Sequence, residues 1–367
     1  MNKNSEQTLR KMHNWVMTYI SDPDRDSNLS LEIIEGELYT AEKFSLTISM
    51  IEDLDKGYQE GLVMLFKYLN NLKELEIWGI QEQEMIDNIP LEFLGSLEKL
   101  TFESCKFEKL PDDLYSLRTL KELSIRYALE ADGISEKISQ LKELTSIQIV
   151  SDGLRSLPRG IGVLKKLKYL RIITSNLQSI PEEIGLLNGL TFLEIQANAL
   201  FPQSVSKLNN LDGLFIEYLN VDNPLSDDDF YKHLAGTVLP LRQLKYLHIK
   251  SLALKKMPQW IAKFKHLETL SIAALIDEPK FPEVLRDFTN LKNLSFTENY
   301  ITEIPAWISE LKNLEFLDFT STNITGLPDS IADLPNLVQL NIMILLYIEE
   351  DTIEKIRKML PNCEVIG

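Results

Sequence analysis

The chain has 367 residues, and its 38 Lys and Arg stand against 55 Asp and Glu, a net charge of -17. Such a surplus repels phosphate backbones and anionic lipid heads over a Debye length of roughly 8–10 Å, so neither nucleic acid nor a membrane surface is an expected partner. At 44% hydrophobic and 25% charged residues the composition is globular, and no cofactor, metal or disulfide is needed for folding.

The opening segment, residues 1–66, follows no repeat. Leu9, Met12, Val16 and Tyr19 fall at helical spacing and predict an amphipathic helix over residues 6–20. The run at Asp22–Asn28 carries carboxylates at alternate positions like the start of a calcium loop. Ser27 stands where the turn glycine belongs and Ile33 where the bidentate glutamate belongs, so a solvated acidic turn is expected there and no metal. Strands are predicted at Leu29–Ile34 and Phe44–Met50 and a helix near Gln59–Leu69, which together read as a capping region.

From Leu72 onward one pattern recurs, with starts at Leu72, Leu97, Leu120, Leu144, Leu167, Leu190, Leu211, Leu244, Leu267, Leu291, Leu314 and Leu337. In each copy the first, fourth and sixth residues are apolar, which predicts a short strand whose inner side faces a core. The second half carries an apolar-proline pair, as in Leu110-Pro111, Ile180-Pro181 and Ile304-Pro305. Proline suits the first position of a short helix, and the acids after it, such as Glu182 and Asp329, suit the positive end of the dipole. The ninth residue is polar or small at Cys105, Asp152, Ser175, Asn198, Asn299 and Thr322, where side chains are expected to bond to neighbouring turns. At Leu219, Leu252 and Leu275 that polar ninth residue is missing, which predicts a local departure from regular geometry. The copy starting at Leu211 is about ten residues too long, and the excess lies within 221–240, where an insertion commonly maps to a loop at a binding face. Residues 349–367 read as a closing cap, with a helix over Asp351–Leu360 and a strand through Val365.

This pattern resembles the leucine-rich repeat proteins, in the short class of bacterial type whose repeats carry LPxxIxxL. The resemblance covers roughly residues 72–348, and the array of about twelve repeats is assigned to 67–348. It implies an α/β solenoid, a curved horseshoe with a parallel sheet on the concave face and short helices and turns on the convex face. It further implies protein–protein recognition through the concave face.

No phosphate-loop, dinucleotide, zinc-helix or paired-cysteine motif occurs, and the four histidines are scattered, so the chain is expected not to be an enzyme. Cys105 and Cys363 lie far apart and suggest a reducing compartment. Residues 1–15 lack a signal-peptide core, and no apolar run approaches about 18 residues, so a cytoplasmic, monomeric protein is expected.

Burial does not dictate the third, fifth, seventh and eighth strand positions, so these carry the functional information. In the middle of the array they become aromatic and charged: Arg126 and Tyr127; Tyr169 and Arg171; Phe192 and Glu194; Phe215, Glu217 and Tyr218; Tyr246, His248 and Lys250. Aromatic and arginine side chains dominate interface energetics, which points to a protein or peptide partner. Two alternatives stay open, a carbohydrate or small ligand on the same aromatic shelf, and a bacterial effector that binds a host protein.

Overall fold

The computed structural model describes residues 42–47, 63, 65–128, 133–218, 227–251, 253–275, 277–343 and 350–367. The expected helix over 6–20, the acidic turn and the strand at Leu29–Ile34 lie outside them. Two compact units divide between Gly189 and Leu190.

The first unit contains β1 (Lys43–Thr47), β2 (Glu74–Trp78), β3 (Lys99–Glu103), β4 (Glu122–Arg126), β5 (Ser146–Val150) and β6 (Tyr169–Ile173), paired in parallel and in chain order. A short helix, α1 (Gln83–Asp87), lies between β2 and β3. The second unit contains β7 (Phe192–Ala197), β8 (Gly213–Tyr218), β9 (Tyr246–Ser251), β10 (Thr269–Ala273), β11 (Asn293–Ser295), β12 (Phe316–Asp318), β13 (Gln339–Asn341) and β14 (Glu364–Ile366), again parallel and in chain order. It also holds α2 (Asp227–Val238) and α3 (Glu350–Met359).

Equal spacing makes equal register. The third residues align as Phe192↔Gly213↔Tyr246↔Thr269↔Asn293↔Phe316, so one repeat position forms one row across the sheet. Each repeat's first, fourth and sixth residues are buried, for example Leu190, Leu193 and Ile195 at 1% exposure or less.

The proline of each pair does not start the helix. Pro111, Pro158, Pro181, Pro202, Pro305 and Pro328 are N-cap residues with extended ψ between 142° and 153°, and a five-residue 3₁₀ helix follows each. Closure is i→i+3, as in Ile184 N–H to Pro181 C=O at 3.1 Å. This tighter winding suits so short a link, and it still turns Ile184 and Leu187 fully inward.

Repeats leave their strands in two ways. In one kind the eighth residue takes the left-handed conformation, at Gly79, Ser104, Tyr127, Ala274, Glu298 and Ser321, with φ between 53° and 72°. The ninth residue is then buried, as at Ile80, Cys105, Ala128, Leu275, Asn299 and Thr322. In the other kind strand-like alternation runs one residue further, and the eighth residue itself is buried, at Ser151, Thr174, Ala197, Tyr218 and Ser251. Asp152, Ser175 and Asn198, expected as inward ninth residues, are consequently exposed. Asp152 still binds across repeats, its Oδ1 accepting from Ser175 N–H at 2.9 Å and Ser175 Oγ at 2.7 Å. Asn299 fills the inward role: its Oδ1 accepts from Leu275 N–H at 2.5 Å and its Nδ2 donates to Ile272 C=O at 2.9 Å. Leu275, where irregular geometry was expected, sits in a regular turn of the first kind and is fully buried.

The insertion is a structural element on its described residues, not a loop at the strand face. Phe230, Leu234 and Val238 of α2 are buried at spacing four and fill the core of their repeat in place of the usual 3₁₀ turn. Tyr231 Oη donates to Lys256 C=O at 2.7 Å and accepts from Lys256 N–H at 2.8 Å. Gln203 Nε2 donates to His233 C=O at 3.2 Å, so the helix is tied to the turns of both neighbouring repeats.

Candidate interaction surface

The outer positions of each unit's strands are where burial leaves side chains free to vary. In the first unit Arg126 Nε lies 2.6 Å from Glu103 Oε2, and Glu103 is only 8% exposed. Tyr127 is 68% exposed because the left-handed turn at this residue swings the side chain off the core side. Tyr169 and Arg171 stand half-buried on β6, in register with Ser146 and Gln148. A shallow hollow of about 220 Å³ opens over β2–β5, bounded by Glu76, Lys99, Glu122 and Arg126, with small residues Thr101 and Ser124 at its base.

The second unit brings more together. Phe192 and Phe215 have ring centroids 5.1 Å apart. Their approach depends on Gly213, which shares Phe192's row on the next strand: a Cβ there would come within 2.8 Å of the Phe192 ring. Phe215 stacks in turn on His248 at 5.6 Å and 17°. His248 Nδ1 lies 2.8 Å from Ser271 Oγ on β10. Burial first, then the neighbouring Lys250, lower the His248 pKa to about 4 against the smaller opposing pull of Glu298, so the ring is neutral at neutral pH. Tyr246, 38% exposed, stands beside this cluster. Glu194 is 8% exposed and accepts from Gln196 Nε2 at 3.0 Å. Lys250 is held by Glu298 at 2.8 Å and Glu217 at 3.4 Å, reaching the former across β10, where Ala273 and Ala274 leave room. Desolvation lowers the Lys250 pKa, but the hydrogen bond to Glu298 and its ion pairs outweigh it and the net direction is up.

Tyr218 does not join this surface. It is 9% exposed, edge-on to Phe201 and to Phe230 of α2, and burial pushes its phenol pKa up. The extra strand residue in its repeat places the eighth side chain on the core side. Phe316, which the repeat rule places in the same row as Tyr246 and Phe192, is 40% exposed and completes the outer aromatic set. Among the described residues no group of His, Cys, Asp or Glu is placed to hold a metal ion, and no helix is long and apolar enough to cross a membrane.

Residues 289–343 match the family model for leucine rich repeats. Curated protein sequences give no match. Among solved structures, a leucine-rich repeat protein of Leptospira interrogans is 22% identical, with 92% of this chain and 98% of that one covered and a TM-score of 0.50. An internalin from Listeria monocytogenes is 15% identical, with 99% and 94% covered and a TM-score of 0.53. The fold is therefore the leucine-rich repeat solenoid. Its repeats are of the short class, and at these identities the likeness carries the fold alone.

Proposed function

We propose that this is a non-catalytic binding protein that recognises a protein or peptide partner on the outer face of its strands. In the second unit the surface comprises Phe192, Glu194, Phe215, Glu217, Tyr246, His248 and Lys250. Arg126, Tyr127, Tyr169 and Arg171 are the corresponding residues of the first. The single observation that carries the reading is the Phe192–Phe215–His248 ring cluster, ordered across three strands with Tyr246 exposed beside it. Rigid aromatic side chains of this kind act as interface anchors at low entropic cost. The same cluster favours a protein over a sugar, because the Phe215–His248 stack at 5.6 Å, with Phe192 tilted against it at 5.1 Å, covers ring faces against which a sugar would pack. Cys105 and Cys363 are both free thiols, in keeping with a role in the reducing interior of a cell.

The test is affinity capture from the native cell with the full chain, followed by titration of the captured partner. Tyr169→Ala, Phe192→Ala and Phe215→Ala should each weaken binding at least about tenfold, the scale of an anchor costing ~2 kcal/mol, while Thr269→Ala and Ser295→Ala leave it unchanged. Three silent aromatic substitutions would refute the placement of the surface.

A further inference from the structure

We propose that the partner of the second unit's strand face is a basic segment in extended conformation, with apolar side chains about four residues apart and lysine or arginine between and beside them. This rests on the reading above that the face binds protein. The charges on the third, fifth, seventh and eighth positions of the repeats that carry β7 to β12 are Glu194, Glu217, Glu298 and Asp318 against Lys250 alone. Lys250 is already shared between Glu217 and Glu298, so the one cation of this face is neutralised within it. His248 adds no positive charge at neutral pH. A carboxylate offers about four acceptor sites and an ammonium only three donors, so the bridge leaves both glutamates with spare acceptors.

The acidity belongs to this face and is not only a share of the chain's overall charge. On the first unit's outer positions Glu74, Glu76, Glu103 and Glu122 are balanced by Lys43, Lys99, Arg126 and Arg171. The apolar requirement follows from Tyr246 and Phe316, 38% and 40% exposed in one row with only Thr269 and Asn293 between them. Three strand spacings of about 4.8 Å separate the two rings by ~14 Å. An extended chain advances ~3.3–3.6 Å per residue, so four residues cover that distance and return side chains to the same side. Opposed charge then sets encounter and register while the rings supply the anchors.

The experiment pans a library of random dodecapeptides against the full chain and measures the best binder, as a labelled synthetic peptide, by fluorescence anisotropy. Enriched peptides should carry net positive charge and spaced apolar residues. Their affinity should fall about tenfold or more on raising salt from about 50 to 500 mM. The triple variant Glu217→Gln, Glu298→Gln, Asp318→Asn should show a loss of similar size, whereas Asp112→Asn, Glu143→Gln, Glu182→Gln, which removes equal charge from the helical side, should bind as the parent does. Circular dichroism confirms that each variant is folded. Neutral or acidic enriched peptides, equal binding by the strand-face variant, or no enrichment at all would overturn the proposal. Binders that ignore the charge variant but are lost on Phe215→Ala would remove the basic partner and leave the protein-binding surface standing, and binders indifferent to both would remove the two together.

Discussion

Replacing His248 by phenylalanine should flatten the acid side of the stability profile. The imidazole is enclosed by Phe215, Ser271 and Lys250, and its pKa falls from 6.5 to about 4 on folding. Above pH 6.5 both states hold a neutral ring and its contribution is constant. As pH drops from there, the unfolded chain takes up a proton that the folded chain refuses, so stability is lost progressively until about pH 4. A gap of about 2.5 pH units at 1.36 kcal/mol each corresponds to ~3 kcal/mol, and residual solvent screening at the part-exposed ring brings this to roughly 2–3 kcal/mol. Carboxylates held low by partners, among them Asp112 beside Lys137, Asp287 beside Lys265 and Glu310 beside Arg286, lose stability in the same direction but only as pH falls below their ordinary values of 3.8 to 4.5. The interval from about 6.5 to 4.8 is thus clear of them. Urea unfolding followed by circular dichroism should show the parent losing about 2 kcal/mol across that interval and His248→Phe, which keeps a ring against Phe215, losing less than half as much. A flat parent profile, or parallel slopes, would refute the reasoning.

Asn299→Leu should destabilise the second unit by about 2–4 kcal/mol, because Leu275 N–H and Ile272 C=O lose their buried partner; urea midpoints measure it. Phe230→Ala should cost about 3–5 kcal/mol by the same assay, the value for a core aromatic, whereas a dispensable surface loop would tolerate it. Gly213→Ala should displace the Phe192 ring from Phe215, seen as changed aromatic side-chain resonances, and lower stability by about 1 kcal/mol.

The strand rows were readable in the sequence because a constant period leaves only one register: once Leu190, Leu211 and Leu244 are matched, Phe192, Gly213 and Tyr246 must align. The same rule also specifies Phe316, an outer aromatic set among smaller neighbours. Tyr218 was misread because position alone does not say where a strand stops. Its successor, Leu219, gives no signal either, since left-handed turns are followed by the apolar Ile80, Ala128 and Leu275 as well as by the polar Asn299 and Thr322. The insertion's length was readable and its side was not. Yet Phe230, Leu234 and Val238 already carried the helical spacing that places α2 against the core. Ring stacking and the reach of Lys250 over Ala273 depend on side-chain geometry that no period encodes.

The two ways of leaving a strand divide the repeats into cassettes of two incompatible phases. A consensus averaged over all copies would demand burial at the eighth and the ninth residue at once, which among the described turns only the small Ala274 and its successor Leu275 combine. Shuffling is therefore permitted within a phase, for example between the copies starting at Leu291 and Leu314, whose left-handed residues Glu298 and Ser321 are followed by the inward Asn299 and Thr322. Exchange between phases, placing the copy from Leu167 where that from Leu291 belongs, would bring an inward Thr174 to a site built around an inward Asn299 one residue later. The outcome of a substitution at the eighth position consequently depends on its successor, since the two together decide which side chain meets the core.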